Sequence, residues 1–354
     1  MKHKAFGLLS IFLVLLLLQS CNMPGSTTPT ETAIPPTDSL APTPQTLEPT
    51  AIQHLAIPIS APDAQPYPDV FSSDTAPERR APYGDSYDLN RLERPFSSDM
   101  TYIPDMDISS FSLSEEGDWY FVSIGLIGKN PNNPMGILFA VELDTNLDSY
   151  GDFLIVAEPP YTEEWSADKI KIYADTNRDT AGNSPSKSDA VFSGDGYDKL
   201  IHDLPNGVGS DVDSAWVRIN AGQYATVQFA FKKSFAGSSF LYSVMSDAGV
   251  KDISRLDYVD YFTEKDAGSP VRSNQYYPLQ GLYAVDNTCY QAFGFLPTGY
   301  EPKICPEIVA PQEVKEPGAP PGPTAPSCEL SYAICQNMGY GDFNPYTCTC
   351  IPIG

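Results

Sequence analysis

Histidine is almost missing from this chain: His3, His54 and His202 are the whole supply in 354 residues. An imidazole-based triad would have to rest on His202, and no Gly-x-Ser-x-Gly elbow accompanies it. Phosphate-loop and dinucleotide fingerprints are lacking too. Basic residues are scarce, 21 Lys and Arg against 45 Asp and Glu, giving a formal net charge of −24. Nucleic-acid phosphates demand a basic face, so that partner class is excluded. No apolar run reaches the roughly 20 residues of a membrane-spanning helix, and no stretch holds a helical stripe. The expectation is therefore a non-enzyme. A glycosidase is the alternative to weigh, because it needs only two carboxylates, and Glu142, Glu158 and Glu163 are available.

What is present begins at the N-terminus. Lys2, His3 and Lys4 precede an apolar run over residues 6–18, followed by Leu18-Gln19-Ser20-Cys21. A charged start, a short apolar core and a small residue at the cut describe a signal peptide over residues 1–20. With cysteine directly after the cut, the arrangement resembles the signal peptide and lipobox of bacterial lipoproteins. That resemblance implies lipidation of Cys21, export, and anchoring at the cell membrane or cell surface. Loss of Lys2 and Lys4 with the signal takes the net charge to −26. An anionic bilayer repels such a body, so the acyl chains must do the holding.

Residues 21–83 are dominated by Thr and Pro and are expected to form a disordered linker, since they offer little apolar area to bury. Polyproline-like stretches would make it semi-rigid, rising roughly 3.1 Å per residue. From residue 84 to 307 the texture changes to short aromatic and β-branched runs between Asp, Asn, Gly and Pro clusters, the pattern of strands and turns. Strands are expected at 108–113, 119–127, 137–143, 153–157, 169–174, 215–219, 225–231 and 240–245. Alternation places Ile170 and Ile172 opposite Lys171 and Tyr173, and Val227, Phe229 and Phe231 opposite Gln228. The fold class is all-β, a single β-sandwich or jelly roll with both sheets polar outside, and a barrel as the alternative. A Pro-rich linker at 308–326 leads to a small Cys-rich unit at 327–354.

Seven cysteines are an odd count for an exported chain. Assigning Cys21 to lipid leaves six for disulfides. Cys289 and Cys305 are natural partners. Cys348 and Cys350 are too close in extended backbone to bridge without strain, so one is expected to pair with Cys328 and the other with Cys335. Zinc is disfavoured by the absent Cys-x2-Cys spacing and the oxidising compartment.

Two loops each follow a strand with acids at alternate positions. One carries Asp144, Asn146, Asp148, Gly151 and Asp152; the other carries Asp175, Asn177, Asp179, Gly182 and Asn183. Alternate oxygen donors, with glycine permitting the turn, suit a calcium ion of six to eight oxygens. Both loops resemble those of thrombospondin type 3 repeats and dockerins, which implies structural calcium as the cofactor. The competing reading is that Asp, Asn and Gly simply form good turns.

An Asp-Thr-Asn loop after a strand, within an exported all-β domain, resembles the family 9 carbohydrate-binding modules and the related DOMON-type sandwiches. The resemblance implies carbohydrate or cell-wall glycan as the ligand, stacked on aromatic faces. Trp165, beside Glu163 and Glu164, is the leading candidate, joined by Tyr173, Trp216 and Arg218; Trp119 begins the most apolar strand and is assigned to the core. Haem, which some DOMON domains hold through Met or His, is disfavoured because His202 stands alone and Met245 has no evident partner. The expectation is a calcium-stabilised binding or adhesion module on a lipid-anchored stalk. A structural surface-layer component and a glycoside hydrolase are the alternatives.

Overall fold

The structure, a computed structural model, describes residues 52–82, 92–148, 150–180, 194–220, 222–256, 262, 264–271, 279–301 and 303–308, with 335, 338, 340, 342–344 and 349–352 of the C-terminal unit. The strands are β1 Tyr67–Pro68, β2 Ile108–Glu116, β3 Trp119–Leu126, β4 Leu138–Asp144, β5 Phe153–Ala157, β6 Ile170–Ala174 and β7 Lys199–Asp203. They continue with β8 Ala215–Asn220, β9 Thr226–Lys232, β10 Phe240–Asp247, β11 Val285–Asn287, β12 Gln291–Phe293, β13 Asp342–Asn344 and β14 Thr349–Ile351. A five-stranded sheet runs β1-β2-β3-β9-β8, and a seven-stranded sheet runs β11-β10-β4-β5-β6-β7 with β12 also on β10. Every strand pairing is antiparallel. The expected all-β class holds, and all eight expected strands form.

The two sheets face each other over one apolar core. Period-two alternation sends Tyr120, Val122 and Ile124 of β3 and Val227, Phe229 and Phe231 of β9 inward, against Phe139 and Val141 of β4 and Tyr242 and Val244 of β10. The layers are joined by edge-on rings: Phe111 meets Tyr242 at 5.8 Å and Tyr120 meets Phe240 at 5.1 Å. Full burial of each such ring contributes about 1.5–3 kcal/mol.

The outer faces are not polar, contrary to the sequence expectation. On the five-stranded sheet, Trp119, Phe121, Trp216 and Ala230 form a second cluster with Ala167 and Leu204. On the seven-stranded sheet, Leu138, Ala140, Leu154, Val156 and Met245 pack with Tyr197, Leu282 and Val285. Both faces are covered by irregular segments, so residues pointing away from the sandwich core are buried as well. Strand β10 is buried at all eight positions for this reason.

The ordered domain also starts well before residue 84. Residues 52–61 lie over the outer face of the five-stranded sheet, where Ala56 and Ala61 pack on the tryptophan cluster. Tyr67 and Pro68 pair with Phe111 and Ser110 as the edge strand β1. Proline is tolerated there because an edge strand does not require the missing N–H. A segment that adds to another segment's apolar face needs no core of its own, which is why composition alone misassigned it.

Candidate functional site

Alternation along β8 turns Trp216 and Arg218 away from Val217 and Ile219, which belong to the inner core. The β5–β6 connection then crosses to this sheet edge. Ser166 exchanges backbone hydrogen bonds with Val217 at 2.9 Å in both directions, and the Ile219 N–H donates to Thr162 O at 2.8 Å. That docking sets Trp165 beside Arg218, whose guanidinium lies 4.5 Å from the indole centroid. Arg218 Nε donates to Gln228 Oε1 at 2.8 Å, and Gln228 Nε2 donates to Ser123 Oγ at 3.0 Å, so a hydrogen-bonded row orients the cation.

The strap of residues 52–61 forms the other wall. His54 Nδ1 lies 2.7 Å from Asp213 Oδ1, and the Leu55 and Ala56 N–H groups donate to Asp213 Oδ2 at 2.8 and 3.0 Å. Burial pulls the Asp213 carboxyl up, but these three partners outweigh it and hold it below the ordinary carboxylate value. Trp165 Nε1 donates to Ile59 O at 3.2 Å. Between the walls lies a pocket of about 450 Å³ lined by His54, Glu164, Trp165, Asp168, Trp216 and Arg218 among others. Trp216 is only 3 % exposed, lies 4.6 Å from the His54 ring, and has an indole N–H without a hydrogen-bond partner. Trp165 is half-buried and carries the accessible aromatic surface. Such a cavity can hold a polar ring by stacking and charged hydrogen bonds.

Three of the four expected ligand residues, Trp165, Trp216 and Arg218, thus meet in one pocket. Tyr173 does not join them, because β6 belongs to the seven-stranded sheet and its outer cluster. Trp119 is buried as expected, though on the outer face rather than between the sheets.

The two acidic loops sit side by side with matching geometry. Asp144 Oδ1 accepts the N–H groups of Leu147 and Asp148 at 2.6 and 3.2 Å. Asp152 accepts the Thr145 N–H and hydroxyl, each at 2.7 Å, and the Asn146 side-chain amide at 2.7 Å. In the second loop Asp175 accepts four N–H groups, from residues 177 to 180, at 2.7–3.0 Å, and Asp179 accepts those of Asp195 and Gly196. The left-handed turn is taken by Leu147 and by Arg178, both at φ 62°, and not by glycine. Gly151 is needed for another reason: a Cβ there would collide with the Tyr197 hydroxyl. Arg178 reaches across to Asp148 at 2.5 Å, joining the loops. Gly182 and Asn183 lie outside the described residues.

Cys289 and Cys305 form the expected disulfide. Cys335 pairs with Cys350, one of the two arrangements expected for the tail; Cys21, Cys328 and Cys348 lie outside the described residues. Of the glutamates weighed for hydrolysis, Glu142 accepts hydroxyls from Tyr197, Tyr290 and Ser243, and Glu158 pairs with Lys171 at 2.7 Å. Glu163 is exposed in the β5–β6 connection. His202 is buried with neither ring nitrogen hydrogen-bonded, and burial lowers its pKa; Met245 is buried in the outer cluster of the seven-stranded sheet.

One polar cluster escaped the sequence reading. Glu93, Asp107 and Asp286, 2 %, 0 % and 0 % exposed, bring carboxylate oxygens within 4.8 Å of one another. They sit where the two sheets meet: the Ile108 N–H at the start of β2 donates to Asp286 Oδ2 of β11 at 2.6 Å. The available signal was an acid directly after two apolar residues, Ala284-Val285-Asp286.

No family model matches this two-sheet antiparallel protein, and neither a curated protein nor a solved structure does.

Proposed function

We propose that the chain is an exported, lipid-anchored surface protein whose sandwich captures a carbohydrate or cell-wall glycan in the pocket around Trp165 and Arg218. The supporting observation is convergence. The β5–β6 connection, strand β8 and the strap at 52–61 each bring polar and aromatic groups to one cavity. An indole flanked by a guanidinium and by Glu164 and Asp168 suits a hydroxyl-rich ring, which offers apolar C–H faces and polar edges. The run from Lys2 to Cys21 supports the anchor.

Glycan-array binding by the mature protein should fall at least tenfold with Trp165→Ala and stay unchanged with Tyr173→Ala, which alters the other sheet. Equal binding by the Trp165 variant, or no glycan bound by the wild type, overturns the pocket and favours a scaffold. Metabolic labelling with a fatty-acid analogue should be lost in Cys21→Ser; retained label overturns the anchor.

A further inference from the structure

The carboxylates of Glu93, Asp107 and Asp286 come from points far apart in the sequence and are enclosed together. Glu93 lies on a segment that pairs with β11: Arg94 and Val285 exchange backbone hydrogen bonds at 3.1 and 3.2 Å. Asp107 immediately precedes β2, and Asp286 is the middle residue of β11. Glu93 Oε1 accepts the Ser72 hydroxyl at 2.5 Å. Asp107 Oδ2 accepts the Ser72 N–H at 3.0 Å and the Tyr102 hydroxyl. Asp107 Oδ1, equally buried, accepts no hydrogen bond. A buried carboxylate oxygen without a donor is costly, and three ionised carboxylates with oxygens inside 4.8 Å would repel one another strongly.

We propose that Glu93, Asp107 and Asp286 form an enclosed seat for one hard divalent cation, with calcium the fitting ion. All donors in the cluster are carboxylate oxygens, without nitrogen or sulfur, which selects a hard cation. Calcium accepts irregular sets of six to eight oxygens, whereas magnesium demands near-ideal octahedral geometry and retains several waters. A wholly buried cluster suits the first. The ion would supply Asp107 Oδ1 with its missing partner and neutralise charge that burial otherwise disfavours. The site would clamp three segments at the junction of the sheets. The loops differ, because among the described residues none of their buried carboxylate oxygens is left without a hydrogen-bond partner.

The test is elemental analysis and thermal melting of the intact mature protein, dialysed against CaCl2 or MgCl2 and then against a chelator. Expected are about one calcium per chain, a fall in Tm of about 10 °C on chelation, and recovery when calcium returns. Asp107→Asn should lose both the ion and the chelator response, while Asp148→Asn in the surface loop keeps both. The proposal is overturned if the wild type holds no stoichiometric ion and melts identically in chelator. It is equally overturned if Asp107→Asn melts higher than the wild type in calcium, as relief of bare carboxylate repulsion predicts, or if Asp148→Asn alone loses the ion. Stoichiometric magnesium in place of calcium overturns the choice of ion. Should Asp107→Asn fail to fold, the ion content and chelator response of the wild type decide.

Discussion

Two acidic regions of this molecule look alike in composition and differ in how their oxygens are used. In the surface loops, Asp144, Asp152 and Asp175 each accept backbone amides from their own loops, Asp179 accepts those of Asp195 and Gly196, and Arg178 supplies a cation to Asp148. At the sheet junction, Glu93, Asp107 and Asp286 are crowded, buried, and in Asp107 Oδ1 short of a donor. Counting acids finds the first region. Asking which oxygens still lack a partner finds the second. The physical difference is the supply of donors: Asp144, also 0 % exposed, is served by two backbone amides, whereas a buried carboxylate oxygen without a donor demands a proton or a cation.

The comparison breaks first at the triad. Asp286→Ala removes both a carboxylate of the cluster and the acceptor of the Ile108 N–H, and should cost about 3–5 kcal/mol in urea unfolding; a loss below about 1 kcal/mol would make the junction no different from a loop. Next comes Asp175→Ala, which strands four amides that water can partly serve. It should cost about 1–2 kcal/mol, with the chelator response of the protein intact. If that response vanished, the loops and not the junction would hold the ion.

A smaller effect is expected at the strap. Because the Asp213 carboxyl sits below its ordinary value of 3.8 when folded, the stabilisation it gives is complete above that value and is lost as pH falls through the folded one. Tryptophan fluorescence should therefore report loosening of the strap below about pH 4, and Asp213→Asn should abolish that step. An unchanged acid step in the variant would place the titrating group elsewhere. The smallest effect belongs to Arg178→Gln. With Arg178 60 % exposed, its pair with Asp148 should contribute no more than about 0.5 kcal/mol, and a double-mutant cycle with Asp148→Asn measures it.

The strands of this fold were legible because period-two patterns are local. Val227, Phe229 and Phe231 reveal their shared face within five residues, and β9 forms as expected. The second buried layer was not legible, since the cluster of Trp119 and Trp216 is packed by Ala56 and Ala61 of a strap that follows directly on a Thr/Pro-rich stretch and reads as its continuation. Strand β7 escaped for a related reason: Lys199 and His202 mask its alternation at a sheet edge. For the pocket, the residue types of Trp165, Trp216 and Arg218 were enough to nominate them, but their meeting depends on the docking of Ser166 against Val217, which no spacing encodes. The triad was hidden most completely. Glu93 and Asp286 are brought together by chain topology, and neither carries a local sign of the other.

The strap has a mechanical consequence. A pull on the N-terminal side enters the domain at the 52–61 segment, so the first bonds to feel it are those of His54, Leu55 and Ala56 to Asp213 and of Trp165 to Ile59. These few bonds should peel one after another, long before the paired strands of either sheet must shear. Tension would thus uncover Trp216 and widen the pocket while the sandwich stays whole. Single-molecule stretching from the N-terminal end should register this as a short, low-force extension ahead of the main rupture, absent in Asp213→Asn.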